Sequence, residues 1–132
     1  DHRPSTIDQE RKMRDYKNIR AFKEADELAV LVYKLTKNFP KDEIYGLISQ
    51  IRRAATSVPA NIAEGASRQY KKDYLNFLYI ARGSLAETEY LLHLANKLEY
   101  MGDATFEEVV KQKQAVATTL YGLIESVAKE VA

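Results

Sequence analysis

The chain has 132 residues, 45% hydrophobic and 30% charged with a net charge of +1, which is enough for one domain around a single core. It contains no cysteine, so disulfides and thiolate metal sites are excluded. No apolar run approaches the ~18–20 residues of a membrane span and no signal-peptide pattern precedes the charged start, so a cytoplasmic protein with no membrane partner is expected.

Residues 1–19 carry much charge and little apolar surface, and read as a charged N-terminal arm. Residues 20–132 then read as a four-helix bundle. The first helix covers about 20–38, with Phe22, Ala25, Ala29, Val32, Thr36 and Phe39 stepping by three and four and Leu28, Leu31 and Leu35 widening the stripe. Pro40 stops it. Asp42 is the expected N-cap of the second helix, whose apolar line is Ile44, Leu47, Ile51, Ala55, Val58 and Ile62. Pro59 lacks an amide donor and crowds the carbonyl four residues earlier, which predicts a kink near Ala55. Gly65 is read as the fraying end of this helix.

The third helix is expected over about 70–100, on the stripe Tyr74, Phe77, Ala81, Ser84, Thr88, Leu91, Ala95 and Leu98, with Leu78, Leu85 and Leu92 repeating at seven beside it. Gly102 is the expected breaker. The fourth begins after Asp103 or Thr105, where Thr105 and Glu108 have capping-box spacing. Phe106, Val109, Val110, Val116, Ala117, Leu120, Ile124, Val127 and Val131 face inward. Long amphipathic helices joined by short loops predict an all-α, antiparallel up-down-up-down four-helix bundle.

Charge is unevenly distributed along this frame. Arg11, Lys12, Arg14, Lys17, Arg20 and Lys23 stand against Asp15 alone, and Arg52, Arg53, Arg68, Lys71, Lys72 and Arg82 against Glu64 and Asp73. From residue 83 to 109 the sign reverses, with Glu87, Glu89, Glu99, Asp103, Glu107 and Glu108 against Lys97. A basic face and an acidic face are expected. The second basic group is the candidate nucleic-acid-binding set.

Several polar residues interrupt the apolar stripes. Ser84 and Thr88 can bond back to the preceding turn and let helices approach. Asn61 lies beside Ile62, where a buried amide must find partners or cost about 1–3 kcal/mol. Arg53, Ser57 and Glu64 share one side of the second helix, and Glu87 follows Ser84 by three. A buried polar network among Asn61, Glu64, Ser84 and Glu87, with Arg53 and Arg82 in reach, would specify pairing and register. A ligand pocket is the other reading.

Catalysis is poorly supplied. A di-iron site needs Glu-x-x-His on two helices, but the histidines are His2 in the arm and His93, which follows Glu89 by four. No phosphate loop, nucleophile elbow or His-Glu-x-x-His motif occurs, so neither an enzyme nor a cofactor is expected. Tyr70, Tyr74, Tyr79 and Tyr90 lie among Arg68, Lys71, Lys72 and Arg82 in and beside the third helix. That mixture suits a subunit interface and, second to it, stacking on unpaired bases.

The runs 29–40, Glu43-Ile44-Tyr45-Gly46-Leu47, 50–65 with its Ser-Val-Pro-Ala-Asn-Ile-Ala-Glu-Gly stretch, and 74–89 resemble the four helix bundle protein family. Its members are encoded in intervening sequences of bacterial large-subunit ribosomal RNA genes, and the resemblance covers about residues 22–123. It implies a bacterial homo-oligomer, a ring of five bundles around a channel. A related branch serves as the accessory protein of diversity-generating retroelements, binding a reverse transcriptase and nucleic acid through a basic surface. The sequence pI of 8.1 is only mildly basic and speaks against that branch. The expected function is therefore binding of RNA or an RNA-bound protein, and the alternative is a protein-binding adaptor.

Overall fold

The computed structural model describes residues 15–131. His2, Arg11, Lys12 and Arg14 of the expected arm lie outside the described residues. Four helices follow in order: α1 (Arg20–Thr36), α2 (Leu47–Ala66), α3 (Lys71–Lys97) and α4 (Asp103–Val131), with short 3-10 turns at Tyr16–Asn18 and Lys41–Glu43. No strand occurs among the described residues. α1 packs on α2, α2 on α3, α3 on α4 and α4 back on α1, which makes a four-helix bundle.

The apolar stripes meet on one axis. Leu28, Ile51, Ile62, Leu78, Leu92 and Leu120 are fully buried, each on the periodic face of its helix. Thr36 and Thr88 share that core because their hydroxyls donate to the Val32 and Ser84 carbonyls, at 2.7 and 2.8 Å. Pairwise contacts set the directions. Ser57 meets Ser84 while Gly65 meets Tyr74 and Phe77, so partners on α3 fall in number as α2 rises. Lys113 pairs with Glu89 and Lys71 with Glu130, so α4 likewise runs against α3.

Two ends follow from this. Tyr100 donates to Glu43 at 2.8 Å and its ring lies 5.4 Å from Phe39, which brings the 37–46 and 98–102 connections together. The Lys71–Glu130 pair gathers the 67–70 connection with the end of α4 at the other. Glu99, Asp103, Glu107 and Glu108 therefore crowd the first end, while Arg68, Lys71 and Lys72 occupy the second.

Local chemistry moved several boundaries. Asp42 does not cap α2: the 3-10 turn closed by Glu43 N–H to the Pro40 carbonyl (3.0 Å) absorbs it, and α2 begins only after Gly46, whose φ of −110° and ψ of −112° interrupt the helix. Ile44 accordingly leaves the apolar line and is 54% exposed. Thr105 is not a cap either, because α4 already starts at Asp103 and the Phe106 amide donates to the Gly102 carbonyl. Gly102 does not end α3. Glu99 does, at φ 61°, with the Tyr100 amide bonded to the Ala95 carbonyl and the Glu99 amide to that of Asn96 (each 3.0 Å). That is a Schellman closure with a non-glycine in the left-handed position. Leu98 and Val131, expected inside, are exposed.

Pro59 is buried within the continuous α2 helix, leaving the Ala55 carbonyl without the amide of residue 59. At the N-terminal side, Asp15 accepts from the Lys17 amide at 3.1 Å, and Tyr16 and Ile19 pack against the core, with the Tyr16 ring 4.8 Å from Phe22.

Candidate nucleic-acid interface

The basic residues of α2 and the start of α3 divide into separate groups. Arg52 is half-buried and its guanidinium is used within the fold. Nε donates to Thr36 Oγ1 at 2.8 Å, Nη2 donates to the Tyr33 carbonyl at 3.3 Å, and the group lies 4.6 Å over the Tyr33 ring. A cation there also compensates the last carbonyls of α1. Arg52 is a clasp between α1 and α2, and the basic surface loses it. Arg53 is exposed and, among the described residues, donates to Ser49 Oγ at 3.4 Å. It lies fifteen residues up α2 from Arg68, roughly 22 Å at 1.5 Å per residue.

Arg68, Tyr70, Lys71 and Lys72 form a corner where α2 passes into α3. Arg68 pairs with Glu64 at 2.6 Å and covers the Phe77 ring at 4.7 Å. Lys71 is tied to Glu130. Both pairs are about half exposed, so each contributes about 0–1 kcal/mol and yields readily to a stronger anion. Lys72 has no carboxylate partner among the described residues, and Tyr70 is 64% exposed between these cations. Arg82 lies ten residues beyond Lys72, about 15 Å along α3, with its guanidinium 4.9 Å over the exposed Tyr79 ring and no carboxylate partner among the described residues.

The polar residues at the α2–α3 seam make a smaller network than the sequence indicated. Ser57 and Ser84 share a hydrogen bond at 2.8 Å, and Asn61 Nδ2 donates to the Ser57 carbonyl and hydroxyl at 2.8 and 2.9 Å. Asn61 and Ser84 are thus joined through Ser57, whose spacing of four from Asn61 was the available signal. Glu64 and Glu87 are not part of it. Glu64 turns outward to Arg68, and Glu87 is exposed to solvent. Two hydroxyls and one amide lack the donors to compensate two buried carboxylates, whose desolvation costs several kcal/mol each.

Two glycines have opposite roles here. Gly65 is not a frayed end but a buried contact: a Cβ there would lie 2.8 Å from Phe77 Cβ, 2.9 Å from Tyr74 Cδ1 and 3.2 Å from the Tyr74 carbonyl. Gly83 sits exposed in the middle of α3, and a Cβ there would meet nothing within 4 Å. A helix-interior glycine costs about 1 kcal/mol relative to alanine, and no close contact among the described residues requires it here. Of the tyrosines on this side, Tyr74 is core, whereas Tyr70, Tyr79 and Tyr90 are exposed.

A sequence model of the 23S rRNA-intervening sequence protein family matches residues 17–122. Among solved structures, a protein of unknown function from the S23 ribosomal protein family of Bacteroides thetaiotaomicron is similar at 30% identity and a TM-score of 0.70, over 79% of this chain and 97% of its own. No curated protein matches the chain.

Proposed function

Because the chain belongs to the 23S rRNA-intervening sequence protein family, we propose that it is a non-enzymatic bacterial homo-oligomer, a cytoplasmic ring of five bundles, that binds RNA or an RNA-associated protein. The observation that carries the RNA reading is the corner of Arg68, Tyr70, Lys71 and Lys72, continued along α3 by Arg82, in which cations and exposed aromatics alternate. Phosphates supply the counter-charge for such a surface, and rings supply contacts to bases. Exposed Tyr33, Tyr90 and Tyr121 on the flanks of the bundle support the oligomeric part, since tyrosine is favoured where subunits meet.

Fluorescence anisotropy with labelled RNA, titrated across salt, tests the binding. Affinity should fall steeply as salt rises, and reversing the charge of Arg68, Lys71 and Lys72 together should abolish it while circular dichroism stays helical. Absence of binding at low salt overturns the RNA reading. Light scattering tests assembly: a mass of one protomer at micromolar concentration removes the ring.

One observation favours a protein-binding adaptor, such as a reverse-transcriptase accessory subunit, as the second reading. Tyr45 is 95% exposed beside the exposed Ile44 at the acidic end, away from the cationic corner. An aromatic presented in this way is an anchor for a protein surface. Retention of a protein partner by a charge-reversed corner, and its loss with Tyr45→Ala, would decide for the adaptor.

A further inference from the structure

Lys72, Asn76, Tyr79 and Gly83 are all exposed and step by four, three and four along α3, so they form one solvent-facing stripe. Arg82 flanks it over the Tyr79 ring, and Tyr70 stands at its start. Asp73, the nearest acid on this helix, is rotated about 100° away from Lys72, toward the side that carries Phe77 and Ser84. The stripe therefore has two cations without a carboxylate partner among the described residues, two exposed rings and a stretch of bare backbone at Gly83.

We infer that this stripe of α3 is a track for single-stranded RNA, with bases stacked on Tyr70 and Tyr79 and the sugar-phosphate chain running from Lys72 to Arg82 and on over the adjoining Gly83. The inference rests on the RNA-binding reading and specifies its substrate class. Charge complementarity selects the occupant, because Lys72 and Arg82 have no carboxylate among the described residues and a phosphate chain supplies what they lack. The rings select the strandedness: a duplex keeps its bases stacked on one another, whereas an unpaired strand can offer each face to a tyrosine. Gly83 is explained by the same ligand. No described atom lies within 4 Å of a Cβ placed there, so the backbone is open to a strand that approaches from outside.

The test is anisotropy with a labelled strand of about 12 nucleotides, alone and annealed to its complement. The single strand should bind about tenfold tighter than the duplex. Tyr79→Ala should weaken it about tenfold with the salt slope unchanged, and Tyr79→Phe should restore it. Lys72→Glu should weaken binding and lower the salt slope by about one. Gly83→Ala should raise the melting temperature yet weaken binding, a combination that a structural role does not produce. Equal affinity for strand and duplex, with the tyrosine variants silent and Lys72→Glu still weakening both, overturns the track and leaves the RNA reading standing. A change of oligomeric mass in Tyr79→Ala or Gly83→Ala, at unchanged RNA affinity, overturns it in favour of a second copy of the chain on this face. No binding of any RNA at low salt removes the reading on which it rests.

Discussion

The α2–α3 and α1–α4 seams belong to one bundle, yet they are built on opposite terms. At α2–α3 the backbones come close enough at Gly65 that a methyl group would collide with Tyr74 and Phe77, and the polar atoms between them are small and mutually bonded through Ser57, Ser84 and Asn61. The α1–α4 seam is flanked differently. Open grooves of about 390 and 330 Å³ run along them, bordered by long charged side chains such as Glu27, Lys34, Lys111 and Arg20. The bridge across that seam is Gln112, whose Nε2 reaches the Glu24 carbonyl at 2.8 Å and its carboxylate at 2.9 Å. Close approach depends on what a residue lacks. A wide seam can be filled by long side chains of many kinds, whereas a narrow one tolerates only the few residues that leave room.

The largest effect should come from closing the narrow seam. Gly65→Ala is expected to destabilise by about 1–3 kcal/mol in urea unfolding, because the crowded atoms are the Phe77 Cβ, the buried Tyr74 ring and the Tyr74 backbone carbonyl. The matching change in the wide seam, Ala115→Leu, should stay within about 0.5 kcal/mol of wild type. Equal costs at the two sites would remove the distinction. Next, a Ser57→Ala, Ser84→Ala double-mutant cycle should show a coupling of about 0.5–1.5 kcal/mol, since Ser57→Ala removes the partner of the half-buried Ser84 hydroxyl while Ser84→Ala leaves Ser57 its bond from Asn61. Strict additivity would mean that the hydroxyls act separately. Gln112→Ala should cost no more than about 1 kcal/mol, as its bonds are half exposed to water.

The smallest effect separates the seams from the loop end. Tyr100 is a phenol whose pKa is held above its ordinary value near 10.0, first because its hydroxyl donates to Glu43 and then through partial burial and the nearby carboxylates. A folded-state pKa that is raised contributes stability below the unfolded value and loses it as the pH rises through the folded one. The unfolding midpoint should therefore be level up to about pH 9 and fall above about pH 10, with a shallower fall in Tyr100→Phe. Identical profiles would show that the bond to Glu43 does not link the loops energetically.

Much of the frame was legible from residue order. Val32, Ile51, Leu78 and Leu120 lie at helical spacing and all are core. The boundaries were less legible where two local signals competed. Asp42 has the chemistry of a cap, but Pro40 starts a 3-10 turn that absorbs it before α2 begins. Gly102 resembles a helix breaker, yet Glu99 takes the left-handed position because the closing bonds to Ala95 and Asn96 outweigh the strain of its φ. The basic set was legible as a list and not as a surface. Arg52 has the same spacing credentials as Arg53, and only the position of Thr36 and Tyr33 on the neighbouring helix withdraws it into the fold.

What the sequence determined by itself is periodic: which faces of which segments are apolar, and hence four helices around one core. Those properties are local, since a residue's angular position on its helix depends only on its distance along the chain. What only the tertiary structure decided is pairing. Ser57 meets Ser84 across 27 residues and Glu64 turns to Arg68 instead of joining them. Gly65 is compelled by Tyr74 and Phe77, while Gly83 is left bare. Such choices depend on where a second helix stands, and its placement results from burying all the apolar stripes at once.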